Sequence, residues 1–204
     1  MLVTDNGTSI VMDPFEPHFY GRDYGTIEET ADIATASHSH RDHGFVSILK
    51  GSPSVFAKAG HFRSDDIDIW GIRSFHDKAQ GWERGDNIIF CYDVDGMRVC
   101  HLGDLGHILS SGQLKAIGNV DILILPVGGR STLDPEEGKA VIEQLKPSIA
   151  IPMHFNTGRL TLPCQTAHVL TAWPDIQQTG SAEIEVTKEE LPRATAVFLL
   201  DEAI

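Results

Sequence analysis

The chain has 204 residues, 41% of them hydrophobic and 22% charged, and a formal net charge of −13 from 29 acidic and 16 basic side chains. That balance excludes a disordered chain and suits a domain with a sizeable core. The acidic excess disfavours nucleic acid, whose binders carry a basic stripe, and no apolar run is long enough to span a bilayer. Met1-Leu2-Val3-Thr4-Asp5 has no basic-then-apolar signal pattern, so a soluble cytoplasmic protein is expected.

Taken in chain order, 9–12 reads as a strand ending at Asp13-Pro14, and 32–36 as a second, buried strand. A short helix is expected over 44–50, stopped by Gly51-Ser52-Pro53. Strands near 54–57 and 67–74 follow, the second alternating apolar and polar side chains. Asp95-Gly96 is a two-residue hairpin turn between 90–94 and 97–102. Counting back from the turn sets Cys91 opposite Cys100, Asp93 opposite Arg98 and His101 opposite Phe90. With only Cys164 besides and no Cys-x-x-Cys spacing, Cys91 and Cys100 are expected to be two buried thiols in a reducing compartment. A helix over 111–117 closes at Gly118.

The apolar run 122–125 reads as a fully buried strand. Asp134-Pro135-Glu136-Glu137 then supplies an N-cap, a proline at the first helical position and an acidic third residue. That helix ends at Lys146-Pro147, and 148–151 is the next strand. The unit is β-α-β, so its two strands should be parallel. A short helix near 165–172 and a last strand over 194–200 complete the chain. No repeat or linker divides it, which predicts one domain over 1–204.

The densest signal is His38-Ser39-His40-Arg41-Asp42-His43, where four of six side chains can bind a metal. Neutral imidazole and carboxylate suit Zn²⁺, Mn²⁺ or Fe²⁺. In extended backbone residues i and i+2 share a side, so His38 and His40 can grip one ion while Asp42 and His43, at the turn, face a second. His76, Asp104 and His154 each sit just past another predicted strand, at the kind of edge where active sites gather.

These residues carry a resemblance. His38-x-His40-x-Asp42-His43, Phe75-His76-Asp77, His101-Leu102-Gly103-Asp104, Leu125-Pro126-Val127-Gly128-Gly129 and Pro152-Met153-His154-Phe155 run in order over roughly residues 9–155. Together they resemble the metallo-β-lactamase-fold hydrolases, most of all the small bacterial ones near the ascorbate-6-phosphate lactonases. The resemblance implies an α/β fold, an αββα four-layer sandwich of two mixed β-sheets with helices on the outer faces. It puts His38, His40 and His76 on one metal and Asp42, His43 and His154 on another, with Asp104 bridging and Asp13 in support. The extra strand and Gly-His motif that such relatives carry ahead of the strand ending in Asp13 are not matched in this chain.

The expected activity is a binuclear hydrolase with two divalent ions, zinc first and manganese or iron also tolerated. A metal-bridging hydroxide would attack a small ester, lactone or phosphodiester, with Asp104 and Asp42 as the catalytic carboxylates. Asp42 would also accept or relay a proton. Asp77 could take the second N–H of His76 or simply make a turn, and His101 reads as a structural histidine near the site. His107, Gly128, Gly129, Arg130, Thr132 and Arg159 are the candidate substrate contacts. The partner is a small molecule rather than nucleic acid or membrane, with room for a homo-oligomer. Competing readings are a nuclease or cyclic-nucleotide phosphodiesterase, and a non-hydrolytic di-iron or metal-sensing module.

Overall fold

Long apolar runs and short, turn-bounded strands make the β-structure of this computed structural model, which describes residues 1–19, 22–23, 25–156, 170, 173 and 176–203. β1 (Leu2–Val3) pairs antiparallel with β2 (Ser9–Met12). A separate hairpin, β3 (His18–Phe19) and β4 (Arg22–Asp23), follows. β5 (Ile33–Thr35) and β6 (Ser54–Phe56) then run parallel to β2, giving a four-stranded sheet in the order β1-β2-β5-β6.

β7 (Gly60–Ser64), β8 (Ile67–Phe75), β9 (Asp86–Val94) and β10 (Met97–His101) form an antiparallel meander. α1 (Ser111–Ile117) leads to β11 (Ile122–Pro126), and α2 (Pro135–Leu145) joins β11 to the parallel β12 (Ile149–Met153). With β13 (Ile176–Gln178) and β14 (Ala196–Leu199) they make an eight-stranded mixed sheet, ordered β13-β14-β12-β11-β10-β9-β8-β7.

The middle strands are apolar on both faces because both faces are covered. Phe90, Tyr92, Val99, Ile122 and Ile149 point to the smaller sheet and pack with its Ile10 and Ile33. Ile89, Cys91, Cys100, Leu123 and Ala150 point the other way, onto Ile117 of α1 and Val141 of α2. Both helices begin at capping boxes, set by Ser110 with Gln113 and by Asp134 with Glu137. Two mixed sheets packed face to face are thus the observed frame. Among the described residues, the outer face of the smaller sheet carries the 3₁₀ turn Val46–Ile48. Val11, Ala31, Ala34 and Leu49 are covered there by Ile27, Val46 and Ile48.

The helix expected over 44–50 is a single 3₁₀ turn, Val46–Ile48. Few residues remain between the turn at Gly44 and the break at Gly51, and β-branched side chains do not offset the cost of helix nucleation. The edge ahead of β2 is not bare, since β1 lies along it. β7 carries the poorly patterned Gly60-His61-Phe62-Arg63-Ser64, and it is a strand because the edge of β8 offers a ladder. The hairpin register is as counted, Cys91 facing Cys100 and His101 facing Phe90. The helix proposed near 165–172 lies almost wholly outside the described residues. Among the described residues, no helix is long and apolar enough to cross a membrane.

Strand direction decides where the polar motifs meet. β8 and β10 are both antiparallel to β9, and β10, β11 and β12 are mutually parallel. The C-terminal ends of β8, β10 and β12 therefore share one sheet edge. β2 and β5 are parallel in the facing sheet, so the residues that follow them also share one edge.

Candidate metal centre

Asp104 is the hub of what gathers there. Its Oδ2 lies 3.1 Å from His76 Nε2, 3.4 Å from His43 Nε2, 3.6 Å from His154 Nε2 and 4.0 Å from His38 Nε2. Among the described residues, three groups have ligand atoms mutually within 4.8 Å: His38, His40 and His76; His43, Asp104 and His154; and Asp13, His38 and His43. The first two are the sets that spacing and resemblance put together, with Asp42 left out of the second.

Asp104 is held by its backbone. Its N–H donates to Asn87 Oδ1 at 2.9 Å, and Asn87 Nδ2 donates to Ser74 Oγ and to the Leu102 carbonyl. Gly103 lets this turn sit close, because a Cβ there would stand 2.4 Å from Ser37 Cβ and 2.5 Å from Asn87 Oδ1. Its φ of +56° is also one that glycine adopts freely.

Three imidazoles have their outer nitrogen committed. His43 Nδ1–H donates to Asp13 Oδ2 at 3.0 Å, His76 Nδ1–H to the Ser131 carbonyl at 3.1 Å, and His38 Nδ1–H to Ser37 Oγ at 2.9 Å. With an ion bound, each bond would favour the tautomer whose Nε2 is free to coordinate it. Ser37 Oγ–H and Ser37 N–H both donate to Asp13 at 2.6 Å. Asp13 and His154 hold left-handed backbone, with φ of 50° and 55°, strain of a kind that persists where surrounding structure enforces it.

The electrostatics favour cations. Burial pushes the Asp104 carboxyl up, but the charges on His154 and His43 outweigh it and hold its pKa well below the ordinary carboxylate value. Burial likewise opposes Asp13, whose pKa is nonetheless lowered by His43 and His101. Burial, then the charge on His43, drives His38 down to about 3. Burial alone would lower His43, but Asp104 and Asp13 raise it to about 9. Asp104 Oδ1 and His154 Nδ1 are buried without a hydrogen-bond partner among the described residues. Buried polar atoms without partners are costly. A carboxylate oxygen so placed, among imidazole nitrogens and, among the described residues, no thiolate, fits a divalent ion such as zinc, manganese or iron.

Several candidates have other work. Asp42 is half-buried beside the cluster, and its charge acts on His40 and His43. Its carboxylate belongs to none of the three ligand groups among the described residues. Asp77 is not the partner of His76. Its two oxygens accept the backbone N–H groups of Ala79, Gly81, Glu83 and Arg84 at 2.7–3.0 Å, which fixes the loop after β8.

His107 accepts from Phe75 N–H at Nε2 and donates from Nδ1 to the Ile108 carbonyl, so both nitrogens are used by backbone rather than substrate. Thr132 is buried with its hydroxyl on the carbonyls of its own loop. Gly128 and Gly129 belong to the turn that presents the Ser131 carbonyl to His76. Arg130 stands exposed on that turn at φ 61°. His101 is buried within β10 and accepts from Gly103 N–H at 3.3 Å. Arg159 lies outside the described residues.

Sequence reasoning missed Ser37, Asn87 and Ser131. Asn87 had a signal, an amide leading an apolar strand. Ser131 had none, since it contributes only a carbonyl.

With this geometry in view, the likeness to known proteins is specific. A family model described as the beta-lactamase superfamily domain matches residues 1–154. A metal-dependent hydrolase of the UPF0173 group from Carboxydothermus hydrogenoformans is 30% identical, over 76% of this chain and 80% of that protein. One from Thermus thermophilus is 26% identical over 93% and 88%. A solved structure from Thermotoga maritima, a candidate zinc-dependent hydrolase of the metallo-beta-lactamase superfamily, superposes with a TM-score of 0.75. It is 32% identical and covers 94% of this chain and 90% of its own. The chain belongs to the β-lactamase superfamily. Within it, the chain falls among the metal-dependent hydrolases.

Proposed function

We propose that the chain hydrolyses a small ester, lactone or phosphodiester at a two-metal centre with a preference for zinc. His38, His40 and His76 would hold one ion, and His43, His154 and Asp104 the other, with Asp104 shared. The observation that carries this reading is the Asp104 carboxylate, ringed by four imidazole nitrogens, with one oxygen unpartnered among the described residues. Divalent ions there would supply Lewis acidity and lower the pKa of water.

The chain's own residues supply the rest. Asp13, Ser37 and the Ser131 carbonyl orient imidazoles. Burial keeps His38 neutral, the form that can donate a lone pair. Asp42, close enough to act on His40 and His43 yet outside the ligand groups, accepts the proton lost from the attacking water and passes it to the leaving oxygen. No serine or cysteine nucleophile is needed.

The test is turnover of 4-nitrophenyl esters, simple lactones and bis(4-nitrophenyl) phosphate by protein loaded with zinc, manganese or iron. Hydrolysis of one class is expected, removed by chelation and by Asp104→Asn. Protein that binds two ions per chain and cleaves none of them would overturn the reading.

A further inference from the structure

One cavity of about 490 Å³ opens beside the centre. His38 and His40 form one wall, and Lys58, Arg73 and Arg84 stand around the rest, with Asp86 the one acid among the described residues. In a chain of net charge −13 this concentration of cations is out of character. Several basic side chains elsewhere meet carboxylates, as Arg41, Lys50, Lys78, Arg98 and Lys188 do. Arg73 follows that pattern, 2.9 Å from Asp86, which leaves the acid of the cavity engaged. Lys58 and Arg84 do not. Among the described residues neither has a carboxylate partner, and the Lys58 ammonium has only the Phe62 ring, 6.0 Å away.

Both are carried on constrained backbone. Arg84 N–H donates to Asp77 at 2.8 Å, at the end of the loop that Asp77 gathers. Lys58 follows β6, where a Cβ on Gly71 would come 2.4 Å from the Lys58 carbonyl, so glycine lets this segment press against β8. The small Ala57 and Ala59 flank it in the cavity wall and leave room for a ligand.

We infer that Lys58 and Arg84 form an anion subsite, and that the substrate carries a carboxylate or phosphate group away from the bond that is cut. The subsite would hold that group while the bond itself lies over His38 and His40. This deepens the hydrolase reading and rests on it for the word substrate, though anion binding itself does not. Charge-assisted hydrogen bonds of this kind orient a ligand as well as bind it. Gly128, Gly129, Arg130 and Thr132, expected from sequence as substrate contacts, lie on the turn that meets His76 instead.

The test begins with metal-free full-length protein titrated with inorganic phosphate and, separately, with succinate. Binding is read by phosphorus NMR for the first and by saturation-transfer NMR for the second. Wild type should bind at least one of them, and which one tells phosphate from carboxylate. Lys58→Ala and Arg84→Ala should each weaken that binding about tenfold, and Lys115→Ala, an exposed lysine on α1, should leave it unchanged. Binding of neither anion, or binding that survives both variants, overturns the subsite.

Metal-loaded protein is then assayed on 4-nitrophenyl butyrate and on mono-4-nitrophenyl succinate. The two variants should raise KM about tenfold for the anionic ester and leave the neutral ester unchanged. An equal loss on both esters also overturns the subsite. Anion binding that the variants weaken, in protein that hydrolyses neither ester nor the probes above, would sink the hydrolase reading alone.

Discussion

At the scale of single residues the centre is a set of proton sites held ready for cations. His43, raised to about 9, is protonated at neutral pH in the metal-free protein. Metal uptake at pH 7 should therefore release about one proton from it. Calorimetry in buffers of different ionisation enthalpy reads that number, and His43→Gln should remove it. The same residue gives the metal-free protein a pH signature. Its stabilisation is fully present below its ordinary value of 6.5 and is lost as pH rises through about 9. His38 acts in the opposite sense. Held down to about 3, it contributes fully above 6.5, and that contribution is lost as pH falls from 6.5 towards 3. Between them the two place the metal-free optimum near 6.5, which melting curves across pH will check. Asp13→Ala removes the acceptor of His43 Nδ1–H and two Ser37 bonds, so metal affinity should fall about 10–100-fold with the ligands themselves intact. Competition with a chromogenic chelator measures it.

At the scale of elements, the site depends on what lies beneath the ligands. Asn87→Ala would strip Asp104 N–H, Ser74 Oγ and the Leu102 carbonyl of a buried partner. A loss of about 2–4 kcal/mol is expected in urea melts of the metal-free protein, because desolvated groups left unpaired cost more than a bond contributes. Asp134→Ala should cost only about 1 kcal/mol, as it removes one N-cap from α2 and leaves the sheet edge alone. Local chemistry marked α2 and the hairpin of β9 and β10 plainly, through a capping box and an Asp-Gly turn. β7 and β13 were not legible. Their side chains carry no period, and they are strands because a neighbouring edge lacks partners. The turn at 44–50 misled for the converse reason. A locally plausible helix had too little length once Gly44 was needed where a Cβ would stand 2.7 Å from the His38 carbonyl.

At the scale of the molecule, folding and metal binding are one equilibrium. Ligands from four segments, 38–43, 76, 104 and 154, are brought together only by two stacked sheets, so an ion held by them binds the native state. Metal at 1,000 times its dissociation constant should then add about 4 kcal/mol of stability, and chelation should lower the melting temperature without disturbing secondary structure seen by circular dichroism. An unchanged melting temperature would show that the ions are not held by groups from separate segments. By itself the sequence determined the donor types, their order, the strands they follow and the family, because those depend on local spacing and on residue identity. Tertiary structure decided the rest. It set Asp42 half-buried beside the cluster, gave Asp77 and His107 to backbone, supplied Ser37, Asn87 and the Ser131 carbonyl as supports, and gathered Lys58 and Arg84 at one cavity. Those roles turn on which polar atoms are left unpaired once the two sheets meet, and no local pattern carries that information.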